Sequence, residues 1–378
     1  MIARTLEDTI KALLGSQKAI IIMGARQVGK STLLEALLRG RDDVMWMNGD
    51  DLDVQRLFTE MTSTRLRTLR GDKRILVIDE AQRITDIGLR IKLATDQIKG
   101  VQVIATGSSS FELASKVNEP LTGRKREFRM FPLSFAEMVN HTNLLEELRL
   151  LPHRMIYGYY PEVVCNPGNE RVVLKELADS YLYRDILSLE GISKPDRLIR
   201  LLQALAFQIG NQVNYHEIGR LVGLDPKTVE RYVDILEKSY ILFRLGSFSR
   251  NLRNELKHSR KIYFWDLGIR NAVINNMLQI ESRSDAGALW ENYCIAERMK
   301  MLSYQGGFGQ SWFWRTQQQK EIDYLEENDG QLRAFEFKWN DHKTAAKCPS
   351  SFASAYPDTR FEVITPKRVD EFLLPGRM

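Results

Sequence analysis

The sequence predicts an α/β chain that opens with a parallel sheet flanked by helices, and three observations carry that expectation. Short apolar runs alternate with helix-like stretches up to about residue 140. One of these runs, Ala19 to Met23, leads straight into a glycine-rich turn and then an amphipathic stretch that stops at Gly40. Another, Ile75 to Ile78, ends in the acid pair Asp79-Glu80.

The turn after the first run, Gly24-Ala25-Arg26-Gln27-Val28-Gly29-Lys30-Ser31, with Thr32 following, fits the pattern GxxxxGK[ST]. Glycines there let the backbone wrap around phosphates, so that successive N–H groups and a helix N-terminus point at them. Lys30 is the candidate for the β and γ oxygens, and the Ser31 hydroxyl for Mg²⁺. The expected ligands are therefore ATP and Mg²⁺. Asp79, at the end of a buried strand, suits the support of the ion. Glu80 beside it suits the polarisation of an attacking water.

Composition narrows the partners. The chain has 378 residues, 43% of them hydrophobic and 27% charged, enough for two or three domains with cores of their own. A net charge of +5 and a pI near 8.9 are compatible with nucleic acid. The three cysteines, Cys165, Cys294 and Cys348, form no CxxC or Cys/His pair, which argues against a zinc site or a disulfide framework. No apolar run approaches a membrane span, and the first residues carry acids and no apolar signal core, so the expected location is the cytoplasm.

The expected domains are a nucleotide domain over 1–140, a helical lid or linker over 141–205, a helix-turn-helix module over 206–262, and an α/β domain over 263–378. In the third, residues 214–245 read as helix, glycine turn, helix and strand, with Asp225 as N-cap and Pro226 in the first turn. Val229, Tyr232, Val233 and Leu236 form its core face, and the whole looks like a winged helix. Lys227, Thr228 and Arg231 face outward as candidate DNA contacts, opposed by the acids Glu230 and Asp234. The stretch behind them carries Arg244, Arg250, Arg253, Lys257, Arg260 and Lys261, a basic wing able to track a phosphate backbone.

In the last domain, residues 321–339 read as two strands joined by Asn328-Asp329-Gly330, with "SWFWRT" upstream as a third. Glu336 and Lys338 share a face, and Asp323 on the first strand can reach them. By residues alone this is either a metal-binding centre or the solvated face of a hairpin.

Around "VQVIATGSSSF" the chain resembles the AAA+ class of ATPases. That resemblance implies a polar sensor of the γ-phosphate on this strand, Thr106 or Ser108, with Ser108 preferred. It also implies an arginine finger reaching a neighbouring subunit: Arg124 first, Arg126 or Arg129 otherwise, in a homo-oligomer that could be a ring. The ordered set "GARQVGKST", "VIDEAQ", "TGSSS", "LTGR", "PLSFAEM", "YGYYPEVV", "YLYRDIL" and "KIYFWDLGIRNAV" resembles one prokaryotic family along nearly the whole chain. Its members join an AAA-type ATPase to a C-terminal domain of otherwise unknown function. The resemblance implies a P-loop AAA+-type domain, a winged helix and a PD-(D/E)xK nuclease-like tail. In that tail Asp323 and Glu336 would be Mg²⁺ ligands and Lys338 would stabilise charge. Glu291 from the preceding helix would add a ligand, with Glu297 as second choice. The expected function is ATP hydrolysis coupled to action on DNA, directed by structure rather than by sequence. The competing expectation is a nucleotide-dependent switch that binds a protein and keeps an inactive nuclease-like tail.

Overall fold

The computed structural model describes residues 1–108, 121–179, 192, 194–249, 259–307, 309–316, 318–340, 346–374 and 376. They form two compact units, Met1–Pro132 with Lys238–Tyr240, and Leu133–Glu237 with Ile241–Met378.

The first unit is built on five strands: β1 (Ala19–Met23), β2 (Val44–Asn48), β3 (Ile75–Asp79), β4 (Gln102–Gly107) and β5 (Lys125–Arg129). Their order is β2-β3-β4-β1-β5, and every pairing is parallel. β1 and β4 are buried along their whole length, which is why they read as unbroken apolar runs. Helices α1 (Leu6–Ala12), α2 (Lys30–Leu37), α3 (Leu52–Thr59), α4 (Ser63–Arg70) and α5 (Ile87–Gln97) complete the unit among the described residues. Parallel pairing gathers the C-terminal ends of all five strands on one edge, where open α/β sheets bind ligands. Met23 lies opposite Gly107 and Arg129, and Asn48 opposite Asp79.

The second unit begins with α6 (Phe135–His141), α7 (Leu144–Arg149), α8 (Leu151–Tyr157), α9 (Pro161–Cys165), α10 (Glu170–Leu177) and α11 (Pro195–Phe207). The helix pair α12 (Tyr215–Val222) and α13 (Pro226–Lys238) follows, joined through Gly223 at φ 73°. Asp225 caps α13 by accepting from the Thr228 N–H at 3.0 Å, and Val229, Tyr232, Val233 and Leu236 are buried. Strands β6 (Leu242–Ser247) and β7 (Arg260–Phe264) then form an antiparallel pair. This pair does not close a module of its own. Next come α14 (Leu267–Val273), α15 (Ala286–Tyr304), β8 (Gln310–Arg315), β9 (Glu321–Asn328), β10 (Gln331–Phe337), α16 (Ser350–Ala355), β11 (Arg360–Ile364) and α17 (Val369–Leu373). One six-stranded sheet runs β11-β10-β9-β8-β6-β7, with β6 parallel to β8 through Gly246 and Ser247. The boundary expected at residue 262 therefore falls inside a continuous sheet. The β9–β10 hairpin turns on Asp329 and Gly330, both at positive φ (49° and 79°), the conformation that a two-residue hairpin turn needs.

Two of the sequence strings pack on each other in this unit. The Asp266 carboxylate of "IYFWDLGIRN" accepts from the Ile269 N–H at 3.0 Å, capping α14, and from the Tyr159 N–H of "YGYYPEVV" at 2.6 Å. A Cβ on Gly158 would lie 2.2 Å from that carboxylate, and one on Gly268 would lie 2.1 Å from the Tyr157 carbonyl oxygen. These residue types are dictated by close approach. Behind them Arg154 donates to Glu147 through two nitrogens, at 2.7 and 3.1 Å. Glu147 also accepts from the Tyr159 hydroxyl at 3.3 Å, and the Tyr159 and Tyr293 hydroxyls meet at 3.0 Å. "PLSFAEM" joins the same interior. Ser134 and Glu137 form a capping box, and the Phe135 N–H donates to Glu297 at 2.7 Å, which in turn accepts from Lys300 at 2.6 Å.

The string "YLYRDIL" and the basic residues Arg250, Arg253 and Lys257 lie outside the described residues. All three cysteines are free, and no helix among the described residues is long and apolar enough to cross a membrane.

Candidate functional site

The glycine-rich turn leaves β1 at Met23 and enters α2 at Lys30. Gly24 has no room for a side chain, since a Cβ there would come within 2.0 Å of the Met130 carbonyl oxygen. Gly29 serves a different purpose. It holds φ 92°, a left-handed conformation beyond ordinary residues, and so turns the chain into the helix. Arg4 braces the outside of the loop, donating to the Val28 carbonyl at 2.6 Å and to the Phe131 carbonyl at 2.7 Å.

Lys30 is 5% exposed and donates to the carbonyls of Ala25 at 2.8 Å and Gly24 at 3.1 Å. Burial pushes its ammonium down to about 8, against the opposing pull of Glu80 and Asp79 and with a small push from Arg26. The Ser31 hydroxyl donates to Asp79 Oδ2 at 2.6 Å, and the Thr106 hydroxyl donates to Asp79 Oδ1. The Glu80 N–H points into the same group, 3.2 Å from both Asp79 Oδ1 and Thr106 Oγ1. Glu80 itself sits at φ 48°, an uncommon conformation outside glycine. Its carboxylate accepts from the Gln82 amide, which also donates to the Ser108 hydroxyl at 2.9 Å.

One pH effect follows from Lys30. Below about pH 8 the amine is charged before and after phosphate arrives. Above that it is neutral in the free protein, and phosphate oxygens draw the proton back. Nucleotide binding should therefore take up protons increasingly from pH 7.5 to pH 9, and affinity should fall over the same range. Calorimetry in two buffers of different ionisation enthalpy reads the uptake, and a flat profile would contradict the burial of this ammonium.

Arg124 lies at the other end of the sheet. It precedes Lys125, which pairs with Ala19 at the start of β1, so the length of a five-residue strand (about 13 Å) separates it from the loop edge. Its guanidinium is paired with Asp96 at 2.7 Å. Arg126 and Arg129 are exposed on the edge strand β5, and Arg129 is at the loop end of it.

In the second unit Glu291, Asp323, Glu336 and Lys338 do converge. The Asp323 carboxyl is held well above the usual carboxylate range, first by loss of water around it, then by the nearby charges of Glu291 and Glu336. It accepts from the Phe337 N–H at 2.9 Å, and Lys338 pairs with Glu336 at 2.6 Å. Glu297 is elsewhere, in the pair with Lys300. The unexpected member is Lys261. Its side chain is 1% exposed, and its ammonium pairs with Glu291 at 2.9 Å and with Glu321. Tyr263 adds a hydroxyl donor to Glu291 at 2.6 Å. Among the described residues no group of three or more His, Cys, Asp and Glu side chains is arranged to hold a metal ion. Where the family resemblance implied Asp323, Glu336 and Glu291 as metal ligands, a second lysine ammonium, that of Lys261, stands among the acids and pairs with Glu291.

The three described members of the expected basic wing are held within the chain. Arg244 pairs with Asp234 at 2.7 Å and with Glu237, Arg260 with Glu230 at 3.0 Å, and Lys261 is buried. Lys227 and Arg231 remain exposed on α13.

Residues 16–139 match the family described as AAA domain. That segment is an AAA-type domain. Residues 148–281 and 286–370 match two further families, each described as a domain of unknown function, DUF8612 and DUF4143. An uncharacterized protein of Mycobacterium tuberculosis is 25% identical over 324 residues, covering 84% of this chain and 70% of its own. One from Haemophilus influenzae is 24% identical over 358 residues, covering 86% and 84%. Among solved structures, the Walker-type ATPase of Pyrococcus abyssi is similar with a TM-score of 0.48 at 16% identity, covering 72% of this chain and 96% of that one.

Two residues of the nucleotide site escaped the sequence reading. Gln82, which holds Glu80, stands in the quoted string "VIDEAQ", two positions beyond the acid pair, so its place was visible but its partner was not. Arg4 had no local signal at all.

Proposed function

We propose that the AAA-type domain hydrolyses ATP, with Lys30 and the loop N–H groups on the phosphates and Glu80 polarising the attacking water. The observation that carries this reading is the joined set Ser31–Asp79–Thr106 and Glu80–Gln82–Ser108 at the loop edge of the sheet. Ser31 and Asp79, 2.6 Å apart, are the donor pair that would hold Mg²⁺, whose charge would offset that of the phosphates. Thr106 and Ser108 tie the two carboxylates to β4, so a group at the γ-phosphate position would be read by both. An arginine supplied to a neighbouring subunit in a homo-oligomer would be Arg124 only after it leaves Asp96.

We further propose that turnover is coupled to DNA through the helix pair α12–α13, read as a winged helix. Lys227 and Arg231 on α13 and Arg220 on α12 are exposed, and the acids that would repel phosphate, Glu230 and Asp234, are neutralised by Arg260 and Arg244. Duplex and forked DNA should each raise ATP turnover several-fold at low salt, with the gain lost as salt rises. A Lys227→Ala/Arg231→Ala variant should keep basal turnover and lose the stimulation. The second reading, a nucleotide switch that binds a protein, is favoured by the internal pairing of Arg244, Arg260 and Lys261. ATP turnover indifferent to every DNA form would select it.

A further inference from the structure

We infer that the Lys261 ammonium is the resident cation of the C-terminal carboxylate cluster, so that this part of the chain holds itself together by charge and takes up no divalent ion. The inference deepens the inactive-tail alternative above and stands apart from ATP hydrolysis. It begins with placement. Lys261 lies on β7, Glu291 on α15, and Glu321 and Asp323 on β9. One side chain therefore ties a strand, a helix and a second strand through ion pairs to Glu291 and Glu321. The ammonium also lies 5.4 Å from the centroid of the Phe313 ring on β8.

Burial makes that placement decisive. A lysine side chain 1% exposed keeps its charge only where carboxylates surround it, and here two carboxylates meet it directly while Asp323 lies within reach of its field. The remaining acid, Glu336, has its own cation in Lys338 at 2.6 Å. Tyr263 takes up a further lone pair of Glu291. A divalent ion needs several carboxylate oxygens facing one open point. In this cluster Oε1 of Glu291 already accepts from both an ammonium and a phenol, so a divalent ion on that oxygen would have to displace a buried lysine into apolar surroundings.

The test uses the full chain without nucleotide and Mn²⁺ as the probe, read by electron paramagnetic resonance. Wild type and Asp323→Asn should bind Mn²⁺ identically, with no site that depends on Asp323. Stoichiometric Mn²⁺ on wild type that disappears in Asp323→Asn would overturn the inference, and this arm needs no change at Lys261. A second arm tests the charge balance. Lys261→Met should lower the melting temperature by roughly 6–10 °C, as one partner of a buried ion pair is lost. Adding Asp323→Asn to that variant should recover part of the loss, because one surplus carboxylate is removed. Lys261→Met melting like wild type, or the double variant melting no higher than Lys261→Met, would equally overturn it. The outcome leaves the ATPase reading untouched, since none of these residues belongs to the AAA-type domain.

Discussion

Glu80→Gln protein is expected to bind ATP as wild type does and to hydrolyse it roughly 10²-fold more slowly, or slower still. The substitution keeps side-chain length and the φ of 48° that this position imposes, and it leaves the Ser31–Asp79–Thr106 contacts alone. What it removes is the acceptor that can take a proton from water. The amide of Gln82 now holds the carboxylate, and Ser108 holds Gln82, so the acid is oriented before nucleotide arrives. Gln82→Ala should therefore slow turnover by a smaller factor, about 10-fold, through lost orientation with the base still present. Lys30→Ala is the contrasting case. Loss of the phosphate-facing cation and its charge-assisted bonds should abolish binding itself. Fluorescent-nucleotide titration and single-turnover phosphate release separate the three. Normal turnover by Glu80→Gln would remove Glu80 from the role of base.

The nucleotide site was legible because its determinants are contiguous. Strand, glycine turn and helix follow one another within a score of residues, and the acid pair ends the next central strand. The hairpin at 321–337 was legible for the same reason, since alternation and Asp329-Gly330 fix strand pairing and turn locally. Contacts between distant segments were not. Arg4 reaches Phe131 across 127 positions, and nothing near it in the chain marks it as a brace for the loop. Lys261 was counted with the basic wing because its neighbours in sequence are basic. Its fate is set instead by Glu291 and Glu321, acids 30 and 60 positions further along the chain that pair with its ammonium. The sheet order explains why residues 242–264 did not close a separate module. A strand pair with an open edge gains ladder hydrogen bonds by joining β8, and a local pattern cannot show which edge it will join.

The strings "YGYYPEVV" and "KIYFWDLGIRNAV" carried part of the family resemblance, and the packing around them makes a strong prediction. Arg154→Ala should cost about 3–5 kcal/mol of stability, among the larger effects open to a single substitution. Glu147 is 0% exposed, and its charge is balanced by the two guanidinium bonds at 2.7 and 3.1 Å. The Tyr159 hydroxyl, whose burial pushes its own ionisation well above the usual range, can donate to Glu147 but cannot neutralise it. Truncating Arg154 therefore strands a carboxylate in the interior, and also removes the guanidinium stacked 5.2 Å over the Tyr159 ring. If stranded charge is the dominant cost, Arg154→Met/Glu147→Leu should lose much less than Arg154→Ala, because apolar side chains of similar volume need no partner. Urea denaturation of the three proteins decides between charge and packing. Equal losses in the single and double variants would mean that packing around Tyr159, rather than the ion pair, sets the stability of this interior.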